Sequence, residues 1–325
     1  MAPQVSVALA SCNGEKYLSE QIRSVLSQSR RDLELVVVDD ASSDGTARIA
    51  EAAESGDSRV RFYRNPERLG LVANFLRAVS LCRGEFVAYS DQDDAWLPHK
   101  IETLSRLLEK DPAATLVYSD LEICGEDLRH SQGSFLRRAG LAPFSGKLGE
   151  RAFLKNLAPG CSMLFRRPVA QLIARCFEDR AFMELNRAKA LDDTPYMHDH
   201  LALVLASGLG KIACSPKKLV RYRQHGSNNI GAFYKAQDSR RAFIDRLAKR
   251  IQALAPYRKE LPRIDWGRLD SFLKNYSSPK RPPMPGFLPF FLFMRNAGLK
   301  DRALGALDCF LPDVYEKART YAKSK

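Results

Sequence analysis

Three aspartates lie within four residues in the segment VAYSDQDDAW (87–96), directly after an apolar run. Asp91, Asp93 and Asp94 repel one another, so a positive charge must compensate them if the segment packs beside a strand. Closely spaced carboxylates bind Mg2+ or Mn2+ through oxygen, and such ions usually complete their coordination with water and ligand phosphates. The spacing therefore predicts a divalent cation that carries a diphosphate. A cap and turn without a metal is the plainer alternative.

The elements before this acidic segment alternate between strand and helix. Apolar runs predict strands at 5–10, 33–38, 60–63 and 86–89, and periodic patterns predict helices at 17–28, 47–54 and 71–82. Four such repeats in about 100 residues indicate a doubly wound α/β fold with a mostly parallel sheet and flanking helices, in which ligands bind at the carboxyl ends of the strands. The polar clusters at 11–15, 39–44 and 91–94 fall at those ends.

The rest of the chain is less regular. We predict a helix at 100–108, strands near 116–118 and 161–165, and a buried helix at LALVLA (201–206). Beyond residue 236 the pattern changes to an amphipathic helix that ends at Pro256. Its predicted apolar face consists of Phe243, Leu247, Ile251 and Leu254. The sequence thus predicts an α/β domain at 1–235, divided near residue 110, and a basic helical extension at 236–325.

The charge of the 325-residue chain is concentrated in that extension. The formal net charge is +13, and residues 236–325 contain 19 Lys and Arg against 9 Asp and Glu. Such a segment favours anionic partners, either nucleic acid or an acidic membrane face. The apolar stretch at 287–294 is interrupted by Pro289 and is too short to span a bilayer.

Cysteine usage and the N-terminus indicate a reducing compartment. The seven cysteines are scattered, odd in number and never in a CxxC pair, which argues against a disulfide framework or a zinc ribbon. The first residues show no signal peptide pattern. We therefore expect a cytoplasmic protein.

Two common phosphate-binding motifs are missing from the sequence. The turn after the first strand is SCNGEKY rather than the GxGxxG of a dinucleotide-binding dehydrogenase, and there is no GxxxxGK[ST] loop. Any bound phosphate must therefore be neutralised in another way, and the acidic segment offers one.

Several segments taken together resemble the nucleotide-binding half of family-2 glycosyltransferases with the GT-A fold. They are VSVALASCNGEKYLSEQIRSVLSQSRRDLELVVVDDASSDGT (5–46), NPERLGLVANF (65–75) and RGEFVAYSDQDDAW (83–96). The resemblance is strong over residues 4–110. It continues through GCSMLFRR (160–167), MHDHLALVLASGLGKI (197–212) and LVRYRQHGSNN (219–229). The SDQDDAW and YRQHGSN segments resemble bacterial rhamnosyltransferases of O-antigen and lipopolysaccharide assembly.

The resemblance implies a role for each matching position. It implies donor binding by Ser11, Asn13, Glu15, Asp40, Asn74, Asp91, Gln92 and Arg223. It implies metal binding by Asp93, Asp91 and His225. Among these, Asp40 would accept the N3–H of a uracil or thymine ring, and Asp93 would be the direct metal ligand.

Some neighbours have two interpretations each. Asp39 is expected to accept hydrogen bonds from the turn that follows it, and Trp96 could border the acceptor or serve only packing. His225 could complete a metal shell or cap the turn before Gly226. Arg221 and Arg223 alternate on a predicted strand, so both could point towards one face.

Asp199 matches the family's base position. An inverting transfer needs one base on the acceptor hydroxyl, and the resemblance implies that Asp199 supplies it. Asp192 and Asp193 are rival carboxylates, and an ordinary partner of the helix dipole is the alternative role of Asp199. His200 stands where relatives often carry an aromatic residue.

The resemblance implies an inverting, metal-dependent transfer with Mg2+ or Mn2+ as the cofactor. The expected donor is dTDP-rhamnose, with another UDP-sugar as the alternative, and the expected acceptor is a saccharide or lipid-linked saccharide of cell-surface polysaccharide. The basic extension would hold the enzyme on the anionic cytoplasmic face of the inner membrane, or would simply pack on the first domain. A nucleic-acid-binding protein is the rival class, but the chain has no aromatic-basic platform or recognition-helix module. A glycosidase with paired carboxylates would leave the Asp40 loop unexplained.

Overall fold

Apolar runs near the N-terminus form the centre of a mixed sheet with helices on both sides. The computed structural model describes residues 3–187, 194–226 and 240–276. Its strands are β1 Val5–Ser11, β2 Leu33–Asp39, β3 Val60–Arg64, β4 Phe86–Ser90, β5 Ala95–Trp96, β6 Ala114–Cys124, β7 Ser131–Ser134, β8 Met163–Arg166 and β9 Lys211–Arg223.

Ten helices are present in the described ranges. They are α1 Leu18–Leu26, α2 Thr46–Gly56, α3 Leu71–Ser80, α4 Lys100–Lys110, α5 Phe135–Arg138, α6 Arg167–Glu178, α7 Arg180–Asn186, α8 His198–Leu209, α9 Arg240–Leu254 and α10 Trp266–Tyr276. Short 3-10 turns occur at Gly149–Phe153, Gly160–Ser162 and Ala255–Glu260. No helix in these ranges has the length and apolar character needed to cross a bilayer.

The strand order is β3-β2-β1-β4-β8-β6-β9-β5, with β7 paired to β6 outside this path. The first four strands are parallel, as predicted from the strand–helix alternation. β8 is antiparallel to β4 and to β6, whereas β6 and β9 are parallel. The predicted doubly wound α/β sheet is therefore confirmed, with parallel pairing concentrated in its first half and mixed pairing in its second.

The two faces of the sheet form two hydrophobic cores. Alternate residues of β1 divide between them, because successive side chains of a strand point to opposite faces. Val7 and Leu9 pack in the core formed with α1, α2 and α4. Ala8 and Ala10 pack in the core formed with α3, α6 and α8. All seven residues of β1 and of β2 are buried, including the polar Ser6 and Glu34.

Several elements differ from the sequence-based expectation. The strand predicted at 161–165 begins as the 3-10 turn Gly160–Ser162, and β8 starts only at Met163. β5 has two residues, and β7 is the polar segment SQGS, so neither presents a periodic apolar pattern. Helices α6 and α7 were not predicted.

The described part of the C-terminal extension packs on the preceding domain. Leu247, Ile251 and Leu254 are buried in the same core as α8, and Phe243 is half-buried against it, as their helical spacing predicted. The Tyr257 hydroxyl donates to a carboxylate oxygen of Asp179 at 3.0 Å. The segment 277–325, on which the membrane prediction depends, lies outside the described residues, and the domain boundary near 235 stays a prediction.

The amino-terminal edge of the sheet is closed by a buried polar cluster. Ser6 and Arg83 both donate to the Glu34 carboxylate, Ser6 through its hydroxyl at 2.6 Å and Arg83 through Nη2 at 2.8 Å. Burial alone would raise the pKa of Glu34, but these hydrogen bonds outweigh it and lower that pKa. Gly84 donates its N–H to the Ser6 hydroxyl at 2.7 Å, and this close approach aligns β4 with β1.

Gly84→Ala is expected to destabilise the fold. A Cβ at this position would lie 2.6 Å from the backbone nitrogen of Ser6, which cannot move without shifting β1. We expect a loss of about 1–3 kcal/mol in the free energy of unfolding, measured by urea denaturation. Gly56→Ala is the matched control, because a Cβ there meets nothing within 4 Å. It should leave stability unchanged or raise it by up to about 1 kcal/mol, and equal losses in both variants would contradict the argument.

Candidate active site

The carboxyl ends of β1, β2 and β4 meet at one edge of the sheet. In the parallel register Ser11 at the end of β1 lies opposite Asp39 at the end of β2, and Leu9 lies opposite Ser90 of β4. The polar loops that follow these strands are therefore neighbours, as their order in the chain predicted.

The loops after β1 and β2 are joined by hydrogen bonds. Asn13 has a φ of 49°, in the left-handed region that asparagine tolerates. Its N–H donates to the Ser42 hydroxyl at 2.8 Å, and its Oδ1 accepts the N–H of Ser43 at 3.0 Å. Glu15 accepts the N–H of Gly45 at 3.0 Å. The structure thus places Asn13 and Glu15 on the exposed side of this loop pair, and their predicted contact with a nucleoside stays a prediction.

Asp39 is a structural acceptor, as expected. Its fully buried carboxylate accepts the N–H of Ser42 at 3.1 Å, and the Ser42 hydroxyl also donates to it. Arg64 approaches the same carboxylate to 3.4 Å. These contacts fix the turn after β2.

Asp40 holds the loop that precedes α3. Its carboxylate accepts the N–H groups of Leu69 at 2.7 Å and Gly70 at 2.8 Å, and the Asn65 amide at 2.7 Å. A carboxylate offers about four acceptor positions, so these donors use most of its capacity. The predicted bond from the N3–H of a base to Asp40 stays a prediction, and it would have to share this 2% exposed group with the loop.

Asn74 and Ser11 lie behind the loops rather than on their surface. Both residues are 2% exposed. The Asn74 amide donates to the carbonyl oxygens of Ser11 at 3.3 Å and Val38 at 3.0 Å, so it ties the ends of β1 and β2 together. The expected position of Asn74 near the diphosphate or the donor sugar stays a prediction.

Gln92 joins the acidic loop to the loop after β1. Its Oε1 accepts the N–H of Cys12 at 2.8 Å, and its Nε2 donates to the carbonyl of Cys12 at 3.1 Å. A Cβ at Gly14 would stand 2.2 Å from that Oε1, so a larger residue there would displace the Gln92 amide. The structure gives Gln92 a loop-holding role, and its expected contact with the donor stays a prediction.

The structure brings Asp93 and His225 together. The Asp93 Oδ2 lies 2.9 Å from the His225 Nε2, and the two side chains are 17% and 8% exposed. The His225 ring also packs on Tyr17, with 4.8 Å between ring centres. Two of the three predicted metal ligands, separated by 132 residues in the chain, are therefore in contact.

A second group of possible ligand atoms surrounds the third predicted ligand. Atoms of Asp91, Asp94 and Cys161 all lie within 4.8 Å of one another. The buried Asp94 accepts the N–H of Arg223 at 3.1 Å through Oδ1, and in the described part of the chain its Oδ2 has no hydrogen-bond partner. The sequence did not single out Cys161 as part of the acidic site.

Burial and mutual repulsion disfavour the ionised form of these carboxyls. Burial raises the pKa of Asp91 to about 7, and the charges of Asp93 and Asp199 add to this effect. Burial also raises the pKa of Asp94 well above its usual range, with Asp93 and Asp91 as further causes. The loop therefore requires a compensating cation if its carboxylates are to be ionised.

One such cation belongs to the protein. Lys100, the first residue of α4, is fully buried, and its ammonium donates to the carbonyl of Cys161 at 2.6 Å. Burial lowers the pKa of Lys100 to about 7, while the acidic neighbours Cys161, Asp94 and Asp91 act against that change. Sequence reasoning missed Lys100, because a lysine in the first turn of an amphipathic helix normally faces solvent.

Trp96 is packed beneath this loop. It is 4% exposed, and the Lys100 ammonium lies 3.1 Å from its ring centre. Of its two interpretations, packing therefore fits the structure.

Arg223 is held by groups of the protein itself, and its predicted role in donor binding stays a prediction. It is 3% exposed, and its guanidinium donates to the Asp93 carbonyl at 2.6 Å, to the Glu126 carbonyl and to the Glu20 carboxylate. The guanidinium also lies 4.5 Å from the centre of the Tyr17 ring. These contacts join the end of β9 to the acidic loop and to α1, which makes Arg223 a structural clamp of the site.

Arg221 does not share this environment. It is exposed, although it lies on the same strand two residues earlier. This difference in exposure does not test the expectation that both arginines point towards one face of the strand. Arg223 alone is covered by the ring of Tyr17 and by the loop that contains Glu126.

Asp199 lies in the first turn of α8, as predicted, and its charge acts on Asp91 across the site. Its carboxylate accepts the N–H of His200 at 2.7 Å and hydrogen bonds from the Gly160 N–H and the Asn156 side chain. Burial raises the pKa of Asp199 to about 6, although these hydrogen bonds act in the opposite direction. The rival carboxylates at 192 and 193 lie outside the described residues.

The two histidines beside Asp199 are buried. His198 stacks on Phe75 with 3.7 Å between ring centres, and burial lowers its pKa to about 3, so it is neutral. His200 is hydrogen-bonded to the carbonyl of Ala152 at 2.7 Å. His200 therefore packs in the core instead of replacing an aromatic residue at the acceptor.

The fold matches that of solved GT-A enzymes. S. aureus TarS 1–349 in complex with UDP superposes with a TM-score of 0.54 at 17% identity, over 85% of this chain and 70% of that one. The mannosyltransferase PcManGT from Pyrobaculum calidifontis, in complex with GDP-Man and Mn2+, gives 0.51 at 15% identity, over 95% and 84%. At these identities the likeness shows the fold, and the predicted GT-A class is confirmed.

The sequence places the chain in a family. The model for glycosyl transferase family 2 matches residues 6–173, which is more than half of the chain. The protein belongs to glycosyl transferase family 2 and is a glycosyltransferase. Asp199, Arg223 and His225 lie beyond the matched segment.

Curated relatives agree with this assignment. An uncharacterized glycosyltransferase of Haemophilus influenzae is 29% identical over 241 residues, covering 73% of this chain and 70% of that protein. TuaG of Bacillus subtilis, named as a candidate teichuronic acid biosynthesis glycosyltransferase, is 32% identical over 160 residues, covering 49% and 60%. The match to the glycosyltransferase-named EpsE of Bacillus subtilis is 40% identical but spans 33% of this chain and 39% of that one.

Arg223→Met is expected to destabilise the protein more than the same change at Arg221. The first substitution leaves Glu20 and two carbonyls without a buried donor, whereas Arg221 is exposed. We expect a loss of about 2–4 kcal/mol for Arg223→Met, measured by guanidinium unfolding. Arg221→Met should change stability by no more than about 0.5 kcal/mol, and similar losses for both would remove the clamp assignment.

Proposed function

We propose that this glycosyltransferase moves a sugar from a pyrimidine nucleotide-sugar to a saccharide acceptor with inversion, and that the reaction depends on a divalent cation. The observation that carries the proposal is the contact of Asp93 with His225 beside Asp91, in a site that Asp199 also faces. A single displacement requires two groups. One is a set of ligands for a cation on the donor side, and the other is a separate carboxylate of raised pKa that can act as the base.

The donor atoms fit Mg2+ or Mn2+. Asp91 and Asp93 offer carboxylate oxygens and His225 offers an imidazole nitrogen, which are ligands that Mn2+ accepts readily. In the structure Asp93 Oδ2 and His225 Nε2 form a 2.9 Å hydrogen bond, which a cation held by both side chains would replace. A cation bound there would neutralise the diphosphate that leaves with the nucleotide.

Asp199 is the proposed general base. The N–H groups of His200 and Gly160 and the side chain of Asn156 orient its carboxylate. With a pKa of about 6 it is ionised at neutral pH, yet it is more basic than an exposed aspartate. It would take the proton of the acceptor hydroxyl as that oxygen attacks the donor sugar from the side opposite the nucleotide.

The donor and acceptor classes rest on the loops and on the comparisons. Asn13 and Glu15 lie on the exposed side of the loop pair, where short polar groups can meet a ribose or a base. Solved enzymes of the same fold hold UDP, UDP-GlcNAc or GDP-Man, which supports a nucleotide-sugar donor. TuaG carries a name from surface polysaccharide synthesis, which supports a cell-surface saccharide as acceptor. We propose dTDP-rhamnose as the donor, with a UDP-sugar as the alternative.

Binding to an anionic membrane remains part of the proposal. It rests on the 19 basic residues of 236–325 and on the apolar GFLPFFLFM segment. The described helices α9 and α10 pack on the preceding domain, so any membrane contact falls to the residues that follow them.

Asp93→Ala should abolish metal-dependent donor binding. Thermal unfolding of the wild type should shift upwards with dTDP or UDP in the presence of Mn2+, and EDTA should cancel the shift, because the diphosphate needs its counter-charge. The variant should show no shift under either condition. Asp32→Ala, at an exposed aspartate before β2, is the control and should behave as the wild type. Protection that survives EDTA in the wild type would contradict the metal role, and the larger of the dTDP and UDP shifts identifies the base.

Asp199→Asn should retain donor binding and lose turnover by about 10²–10⁴-fold. In the wild type, kcat/KM should fall as the pH drops below about 6, because protonation of Asp199 removes the base. In the unfolded chain the Asp199 carboxyl ionises near pH 4, whereas in the folded protein it ionises near pH 6. The contribution of Asp199 to the free energy of unfolding therefore falls as the pH rises from 4 towards 6. The variant should therefore be at least as heat-stable as the wild type at pH 8. Unchanged turnover, scored by released nucleoside diphosphate, would move the base to another residue.

A further inference from the structure

Lys100 has an environment unusual for a lysine. It shows no exposed surface, although long basic side chains normally carry their charge to water. Its ammonium donates to the Cys161 carbonyl at 2.6 Å and lies over the Trp96 ring, 3.1 Å from its centre. A carbonyl oxygen and an aromatic face both attract a cation. These two contacts stabilise the charged form, in opposition to burial, which lowers the pKa of Lys100 to about 7.

Cys161 links this ammonium to the acidic loop 91–94, because its thiol lies within 4.8 Å of carboxylate oxygens of Asp91 and Asp94. Asp94 and Asp91 both act electrostatically on Lys100. Asp94 is fully buried, and its Oδ2 has no hydrogen-bond partner within the described ranges. A buried carboxylate with an unbonded oxygen is costly unless an opposite charge is close.

We propose that Lys100 is a resident counter-cation of the acidic loop, which holds that loop in its folded geometry before donor or metal binds. Lys100 is a positioning residue, because its ammonium contacts groups of the protein itself. Its influence reaches the proposed base as well. Cys161, whose carbonyl it binds, directly follows Gly160, whose N–H is hydrogen-bonded to Asp199.

This role has a consequence for metal binding, and that part rests on the proposed function. If Lys100 supplies part of the positive charge, a cation at Asp93 and His225 supplies the rest. The stability of a protein that has lost Lys100 should then depend more strongly on the divalent cation. A lysine that only fills space would not create this dependence.

Lys100→Met tests the proposal, because it keeps most of the side-chain length and removes the charge. The midpoint of thermal unfolding is measured in EDTA and in saturating Mn2+ for the variant and the wild type. We expect a lower midpoint in EDTA and an upward Mn2+ shift that exceeds the wild-type shift by about 3 °C or more. Equal Mn2+ shifts in the two proteins would overturn the proposal.

Two controls on the same helix separate charge from packing. Leu104→Ala removes fully buried apolar volume, so it should lower the midpoint without enlarging the Mn2+ shift. Lys110→Met removes an exposed lysine at the end of α4 and should change neither quantity. An enlarged Mn2+ shift in Leu104→Ala would show that any destabilised variant responds in this way, and would overturn the assignment to charge.

The double variant Asp94→Asn/Lys100→Met keeps the test decisive if the single variant does not fold. Removing both partners of a buried charge pair is far less damaging than removing one. We expect the double variant to be soluble, to unfold cooperatively and to regain at least half of the loss in midpoint. A double variant as unstable as Lys100→Met would overturn the proposal. Calorimetry that finds no Mn2+ binding to the wild type would instead contradict the proposed metal site, and the double variant would then decide the role of Lys100.

Discussion

Electrostatic repulsion among the carboxylates that follow β4 is the constraint on which the site depends. Asp91, Asp93 and Asp94 lie against a buried sheet edge, where water cannot screen them as it would a surface loop. Two parts of the chain bring partners to the loop: Lys100 at the start of α4, and Arg223 and His225 at the end of β9 and just beyond it. The loop therefore has a defined geometry because strands of both halves of the sheet end beside it.

The sequence predicted local features well, and long-range partners poorly. The largely apolar run at 33–38 correctly predicted the strand β2, and Asp39 was correctly expected to bond the turn that follows it. Both results depend on residues within a few positions of each other. The sequence alone could not show that Gln92 binds the backbone of Cys12 or that Arg223 reaches Glu20, because these pairs are 80 and 203 residues apart. The polar character of these residues indicated that they belong to the site. It did not distinguish side chains that hold the loops from side chains that contact a ligand.

The two halves of the sheet contribute differently. The parallel half, β3-β2-β1-β4, repeats one unit, so its strand ends could be aligned from the sequence pattern. The mixed half has register shifts between β6 and β9, and it contains β7, a strand without apolar residues. The family model extends into the mixed half, since the matched segment 6–173 includes β6 and β8 and ends before β9. Asp199 and His225 reach the site from the less regular half, where enzymes of one fold can differ in the molecule they modify.

The packing of α9 against the second core bears on how the enzyme can be handled. Leu247, Ile251 and Leu254 together cover apolar side chains of the domain that would otherwise face water. Truncation near residue 235 would expose the apolar side chains of the domain that α9 covers. The shortened protein would then be prone to aggregate. Expression plasmids for crystallisation or assays should accordingly run at least through α10, and a shorter product that precipitates would say little about the transferase itself.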